Sequence, residues 1–509
     1  MPEPFRFTHR EHHADRVRWR PWGPEAFEEA QRTETPLLLH LVAVWPRACQ
    51  EMDEVTYSDP RVIDTLNESL IPVRVDADRS PHIQDRYIAG GWPTVALLTP
   101  TGEVFWSGTY TEPKELLRVV EGVLAAWRDR REELREEIGR RRKAMEAARS
   151  RRPAFGLVRR EAADDVITGA QDQFDPRNGG FGEAPKFLHA EAVELFFAQA
   201  DRLPNTDWTG IAERTLDGIL AGEIEDPVEG GFFHYALEAD WTRPQTEKLL
   251  QVNARALGAF ACGAARLGRE HWTAAAERTI AWVESTLRRP DGLWSGSQAA
   301  DAEYFAADAH GRAALCRPPV DDTAYAHSCG MWITALANAG RLLERPEWVT
   351  RASEALDVLL ETMAAPGDSL VHYRAPGGEP PAGLLVDLVH CGRAAAAVAE
   401  ATRRDSALAH ARRLATTMER DLWHEGGGFL DHPPAAHPLG ALRYQDRPFE
   451  ENALAARLLL RLSRLTRERT FRALAERTLA LLSPLAGRYA VEGASFAMAV
   501  EEFFELRGG

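Results

Sequence analysis

Residues 178–182 read NGGFG, and the motif returns in altered form as EGGFFHY at 229–235, DGLWSGS at 291–297 and GGGFLD at 426–431. Alanine- and leucine-rich stretches lie between these loops, among them QVNARALGAFACGAARLG, AHSCGMWITALANAGRLL, CGRAAAAVAEAT and NALAARLLLRLSRLT. Their apolar residues recur at three and four, the period of helices packed on one face. Spacings of about 50 to 60 residues, with one longer interval, suggest stacked helical hairpins. A turn near 377 and GRYAVEG at 487–493 are weaker members of the series. Six such hairpins closing on themselves predict an (α/α)6 toroid over residues 161–509, with about ten to twelve helices.

The amino-terminal part has a different grammar. Pro21 to Glu34 contains the start of a short helix, PLLLHLVAVW reads as a buried strand and ACQEMDEVTYSDPRVIDTLNESL as helical. IPVRVDAD and TVALLTP supply further strands, TGEVFWSGTY a turn and a fourth, and EPKELLRVVEGVLAAW a closing amphipathic helix. This alternation predicts an α/β sandwich over residues 1–125. Residues 126–160 form a charged helical connector, in which Glu and Arg at three- and four-residue spacings pair internally rather than bind nucleic acid. The fold class is therefore multidomain, α/β plus all-α.

The 509 residues carry a formal charge of -16 and 44% hydrophobic residues, a globular composition with no overall pull toward nucleic acid or anionic membranes. Five scattered cysteines fit a reducing compartment, and neither a secretory signal nor an apolar span is read, so a cytoplasmic protein is expected. No zinc spacing, P-loop, strand-bound GxGxxG or GxSxG elbow is found; neither metal nor cofactor is expected.

Particular residues carry a resemblance. The order of strand, turn, helix, strand, WP loop and hairpin resembles a thioredoxin-like domain. Pro21, Trp22, Gly23, Glu25, Ala26, Phe27, Cys49, Met52, Val75, Asp76, Gly90, Gly91, Trp92 and Pro93 are similar to motifs of the spermatogenesis-associated protein 20 family. Asp175, Gly179 to Gly182 and Ala184 to Phe187 match its GGFG-APKF signature. Gly230 to Phe232, Tyr235, Trp241, Pro244, Glu247, Lys248, Leu250, Asn253 and Ala254 match its next block. That half resembles the toroid of N-acylglucosamine and cellobiose 2-epimerases and six-hairpin glycosidases. The resemblance implies a redox turn, but Pro46 stands where its first cysteine would be. Dithiol exchange needs an attacking and a resolving thiol, so classical turnover is not expected. Cys49 and Pro93 would then shape a scaffold, or a residual thiol or peptide-binding groove, with Pro93 as a cis proline.

The mouth of such a toroid would stack aromatic side chains on sugar faces and bind hydroxyls with carboxylates and amides. Phe187, Trp241, Lys248, Asn253, Trp294 and Gln298 are the expected ligand-binding residues. Glu247, Asp301, Asp322, His234 and His390 are the catalytic candidates. Glu247-Lys248 would serve equally as a salt-bridge and cap network. Glycoside hydrolysis wants two carboxyls, for which Glu303, Asp321, Asp387, Glu450 and Glu451 are further candidates. Epimerisation wants an acid and a base beside a carbonyl, and His327 lies in a plausible region. The leading reading is a toroid binding a carbohydrate-like or other polar small ligand. A sugar isomerase or glycoside-processing enzyme, and a protein-interaction or thiol-redox module, are the alternatives.

Overall fold

A computed structural model describes residues 8, 10–150, 157–203, 206–375 and 379–506; the weak turn near 377 lies outside them. The chain divides into two compact units. One contains the amino-terminal elements and the later segment Pro434–Gln445, and the other contains the remaining helices.

The first unit runs α1 (Pro24–Thr33), β1 (Leu37–Val42), α2 (Arg47–Glu51), α3 (Pro60–Ser69), β2 (Ile71–Asp76), α4 (Pro81–Tyr87), β3 (Thr94–Leu98), β4 (Val104–Gly108), α5 (Pro113–Asp129) and α6 (Arg131–Ser150). The sheet order is β2-β1-β3-β4, with β1 parallel to β2 and antiparallel to β3. Every residue of β1 is buried, because alternate side chains enter two cores. Leu38 joins Val62, Leu66, Val95 and Leu116 on one face. Leu37, Leu39 and Leu41 join Phe27, Val73 and Tyr87 on the other, where Leu439, Ala441 and Leu442 also pack. This is a thioredoxin-like sandwich.

The second unit begins with α7 (Arg160–Asp172), α8 (Ala190–Arg202), α9 (Trp208–Ala221), α10 (Leu250–Leu267) and α11 (Glu270–Trp282). Two short helices, α12 (Ala302–Ala306) and α13 (Ala309–Ala314), interrupt the next loop. Then follow α14 (Ala326–Leu342), α15 (Pro346–Thr362), α16 (Leu385–Thr402), α17 (Asp405–Leu422), α18 (Phe449–Thr466), α19 (Arg469–Leu482) and α20 (Ala494–Glu505). Helices α8, α10, α14, α16, α18 and α20 pack in that order, and α20 returns to α8, closing an inner ring. The partners α9, α11, α15, α17, α19 and α7 complete an (α/α)6 toroid.

Small residues permit the inner packing. On Gly330 of α14, a Cβ would stand 2.8 Å from the His390 carbonyl carbon of α16. The outer helices are amphipathic: α17 buries Ala407, Ala411, Leu414, Ala415, Met418 and Leu422. Connections from inner to outer helices are short turns with left-handed residues at Gly268, Arg403 and Arg467. The longer loops all lead into inner-helix amino termini, so these termini share one mouth. Among the described residues, no helix is long and apolar enough to cross a membrane.

Candidate functional site

The glycine loops are first a scaffold. Asp175 accepts backbone N–H groups of Arg177 and Asn178 at 2.9 and 3.1 Å, and Lys186 Nζ at 2.6 Å. Asp226 repeats the arrangement with Val228 N–H at 3.0 Å and Lys248 Nζ at 2.6 Å, and adds both Arg312 Nη groups at 2.8 and 2.9 Å. Asn253 accepts the Phe232 N–H at 2.7 Å and donates to its carbonyl at 3.0 Å. Asn452 does the same for Phe429 at 2.7 and 3.0 Å.

These contacts correct several expected ligand residues. Lys248 is fully buried against Asp226, and Asn253 is spent on a backbone loop. Trp241 is a buried wall over Gly180 and Gly222, and Trp294 is buried with its indole N–H on Glu284 at 3.0 Å. Gln298 is also wholly buried. None offers a face to a sugar, because each fills the packing beneath a loop. Asp301 caps α12 through the Tyr304 N–H at 3.0 Å, and Asp322 is exposed on a loop.

Phe187 remains 39% exposed and stacks on Tyr235 with centroids 4.7 Å apart. Its edge meets His234, whose Nδ1 lies 3.0 Å from Glu247 Oε1. All four residues lie on the segments entering α8 and α10, at the mouth.

The inner helices add a polar cluster from their first two turns. Arg255 on α10 lies 3.4 Å from Glu191 on α8 and 3.1 Å from Glu450 on α18. His327 on α14 and His390 on α16 have ring centroids 6.5 Å apart. The His390 and His327 Nδ1 atoms are buried without hydrogen-bond partners. Burial holds both imidazoles neutral, well below the ordinary histidine range; His372 and Arg255 reinforce this at His327, and Arg393 and His327 at His390. Burial likewise brings His189 down to about 4.

The two carboxyls part company. Burial raises Glu450 above the ordinary range, whereas at Glu191 burial is outweighed by Arg255, a backbone N–H, Arg393 and His189 together, and the carboxyl is lowered. Behind His327, His372 Nδ1 meets both Asp387 oxygens at 2.9 Å, and Asp387 also accepts the His327 N–H at 3.1 Å. His327, His372 and Asp387 place possible ligand atoms within 4.8 Å of one another, the one metal-capable set among the described residues.

His390, His234 and Glu247 are thus brought to the mouth, while on the loop entering α14 Asp301 is spent on capping α12 and Asp322 is exposed. Sequence reasoning missed Glu191, Arg255, His372 and Arg393. Their signal is a lone charged or imidazole group in an apolar helix or strand, as in Leu388-Val389-His390-Cys391-Gly392-Arg393.

In the first unit, Pro46 precedes α2 and Cys49 lies inside it, wholly buried against Val42, Val44 and Trp92. Trp45 meets the Trp92 ring at 5.2 Å, and the Trp92–Pro93 peptide is cis. Burial pushes the Cys49 thiol far above the ordinary range. The reading of an accessible residual thiol is therefore corrected, because apolar packing seals the sulfur.

Residues 7–146 match the family model Thioredox_DsbH, described as a protein of unknown function, DUF255. Human spermatogenesis-associated protein 20 is 26% identical over 321 residues, 57% of this chain and 40% of that protein, so the chain spans about two fifths of this relative's length. A D-mannose isomerase shares the toroidal fold with a TM-score of 0.54 at 12% identity, covering 70% of this chain and 99% of that one. A sugar epimerase from a ruminal bacterium does so at 0.52 and 12%, covering 63% and 84%. The chain is thus similar to spermatogenesis-associated protein 20, with a DUF255 thioredoxin-like domain followed by a sugar-epimerase-like toroid.

Proposed function

We propose that the toroid binds a carbohydrate-like small molecule at its mouth and moves a proton beside the sugar's carbonyl. The observation carrying this reading is the His327-His390 pair: two neutral imidazoles with ring centroids 6.5 Å apart beside Arg255, the His390 Nδ1 unpartnered and the His327 Nδ1 3.7 Å from Asp387. One imidazole removes a proton from the carbon next to the carbonyl, and the electron pair moves onto the carbonyl oxygen as an enediolate. Arg255 stabilises that negative charge. The second imidazole passes a proton between the two oxygens, and the first returns its proton to the former carbonyl carbon. Atoms and charge balance as an aldose-ketose isomerisation, and a neutral imidazole suits both roles.

A second reading, glycoside hydrolysis, draws on Glu191 and Glu450, whose opposite shifts suit an ionised partner and a protonated acid. In either case the thioredoxin-like domain serves as a scaffold or partner-binding module without dithiol turnover, since Pro46 removes the attacking cysteine.

The D-mannose isomerase likeness guides the choice of probes. The protein is incubated in D2O with D-mannose, D-fructose and cellobiose, and deuterium entry next to the carbonyl is followed by proton NMR. Exchange should occur and fall at least a hundredfold in His390→Asn and His327→Asn. Cleavage of aryl glycosides without exchange would select the carboxylate reading. Neither exchange, cleavage nor sugar binding would overturn both.

A further inference from the structure

Below the imidazoles the inner helices carry a second polar layer. Arg393 follows His390 by three residues on α16, about 4.5 Å further from the mouth. The charges acting on it include Arg457 and Arg461 of α18 and Glu194 of α8. Their pairing is uneven. Arg457 Nη2 meets Glu502 at 2.9 Å, and Arg461 Nη2 meets Glu400 at 2.6 Å. Arg457 Nη1 and Arg461 Nε are buried without hydrogen bonds, and Arg457 Nη1 has Glu194 Oε2 at ion-pair distance, 3.9 Å. Arg393 makes no hydrogen bond or ion pair with any described residue, although its side chain is mostly buried.

Burial and the neighbouring Arg457 charge bring the Arg393 guanidinium down to about 10. Glu194 and Glu191 of α8 both act on Arg393 without forming an ion pair or hydrogen bond with it, and burial raises the Glu194 carboxyl. Unlike Arg457 Nη1 and Arg461 Nε, the Arg393 donors are not sealed in the packing, so they stay open to an acceptor that enters from the mouth. A guanidinium's fork of donors suits a carboxylate or phosphate.

We infer that Arg393 is an anion subsite below the imidazoles of the toroid, and that the sugar bound above carries an acidic group at the end remote from its carbonyl. This rests on the sugar-binding reading given above. One helical turn separates the two layers, so a hexose with its carbonyl at the imidazoles directs its terminal group toward Arg393.

Calorimetric titration of the full chain at low salt tests this with D-mannose, D-mannuronate, D-mannose 6-phosphate and inorganic phosphate. One or both acidic sugars should bind at least tenfold more tightly than mannose, and the advantage should shrink as salt screens it. Whichever acid is favoured separates carboxylate from phosphate. Arg393→Met should erase the advantage and melt no lower than the parent, since no ion pair or hydrogen bond is lost. Mannose binding as tightly as both acids overturns the subsite and leaves the sugar reading standing. Phosphate binding without any sugar binding overturns the sugar reading instead. A lowered melting temperature in Arg393→Met would make the residue a structural ion pair and overturn the inference.

Discussion

At the scale of single residues, Asp226 bears the heaviest charge traffic, as one carboxylate for the cations of Lys248 and Arg312. The two sides respond unequally. Against the cost of burial, Arg312 and Lys248 hold Asp226 ionised, below the usual range, while burial brings Lys248 down to about 8 against the opposing pull of Asp226. Asp226→Asn leaves two buried cations uncompensated and should destabilise the toroid by about 3–5 kcal/mol, measured by denaturant unfolding. Asp175 is likewise lowered, by Lys186 and Asn178 acting against burial. A lowered folded pKa means that the unfolded chain takes up protons first. Both groups therefore contribute stability above the unfolded value of about 3.9, lost as pH falls from there through their folded values. Melting followed from pH 6 to pH 2 should show this loss, with Asp226→Asn showing a smaller one. In the sequence Asp175 and Lys186 are legible only within the GGFG-APKF signature, and nothing singles out Asp226 or Arg312. Lys248 reads as a ligand residue because a lysine in a helix-like run signals function and buried pairing equally.

Helices and loops were far more legible than side-chain roles. The unbroken apolar run of β1, buried on both faces, and the three-four spacing in α10 to α19, which buries one, are forced by packing, so pattern alone places them. What pattern cannot decide is which polar residue of an inner helix faces the axis and which ties down a loop. Asn253 and His390 illustrate the problem: each interrupts an apolar helix, yet Asn253 caps the Phe232 loop while His390 leaves Nδ1 free. Their difference depends on a loop arriving from elsewhere in the chain. Asn452 tests the capping role, since it satisfies the Phe429 N–H and carbonyl together and also donates to the Pro448 carbonyl at 2.8 Å. Asn452→Ala strands two buried backbone groups and should cost about 2–5 kcal/mol. Hydrogen exchange should show the Phe429 amide losing protection before the α18 core. An unchanged amide would mean that the glycine loop holds its shape unaided.

Over the whole molecule, the sequence's division at residues 125 and 160 follows composition, and composition cannot reveal a late segment that joins an early unit. Pro434–Gln445 groups with the thioredoxin-like unit although it lies within the toroid half of the chain. There Tyr87 donates its hydroxyl to the Gly102 carbonyl and accepts the Ala441 N–H, each at 2.8 Å. Arg443 reaches Glu103 at 3.2 Å, while Leu439, Ala441 and Leu442 cover the face carrying Trp22, Phe27 and Tyr87. Gly440 has φ +53°, and a Cβ there would stand 2.3 Å from the Tyr87 hydroxyl. This close approach explains a glycine that no local turn motif marks. A fragment of residues 1–150 therefore lacks part of its own core surface. It should melt below the same fragment supplied with a peptide of residues 434–445, and the peptide's benefit should vanish with Gly440→Ala, which adds strain as well as a clash. Equal melting with and without the peptide would show that the sandwich is complete by itself and that the late segment merely rests on it.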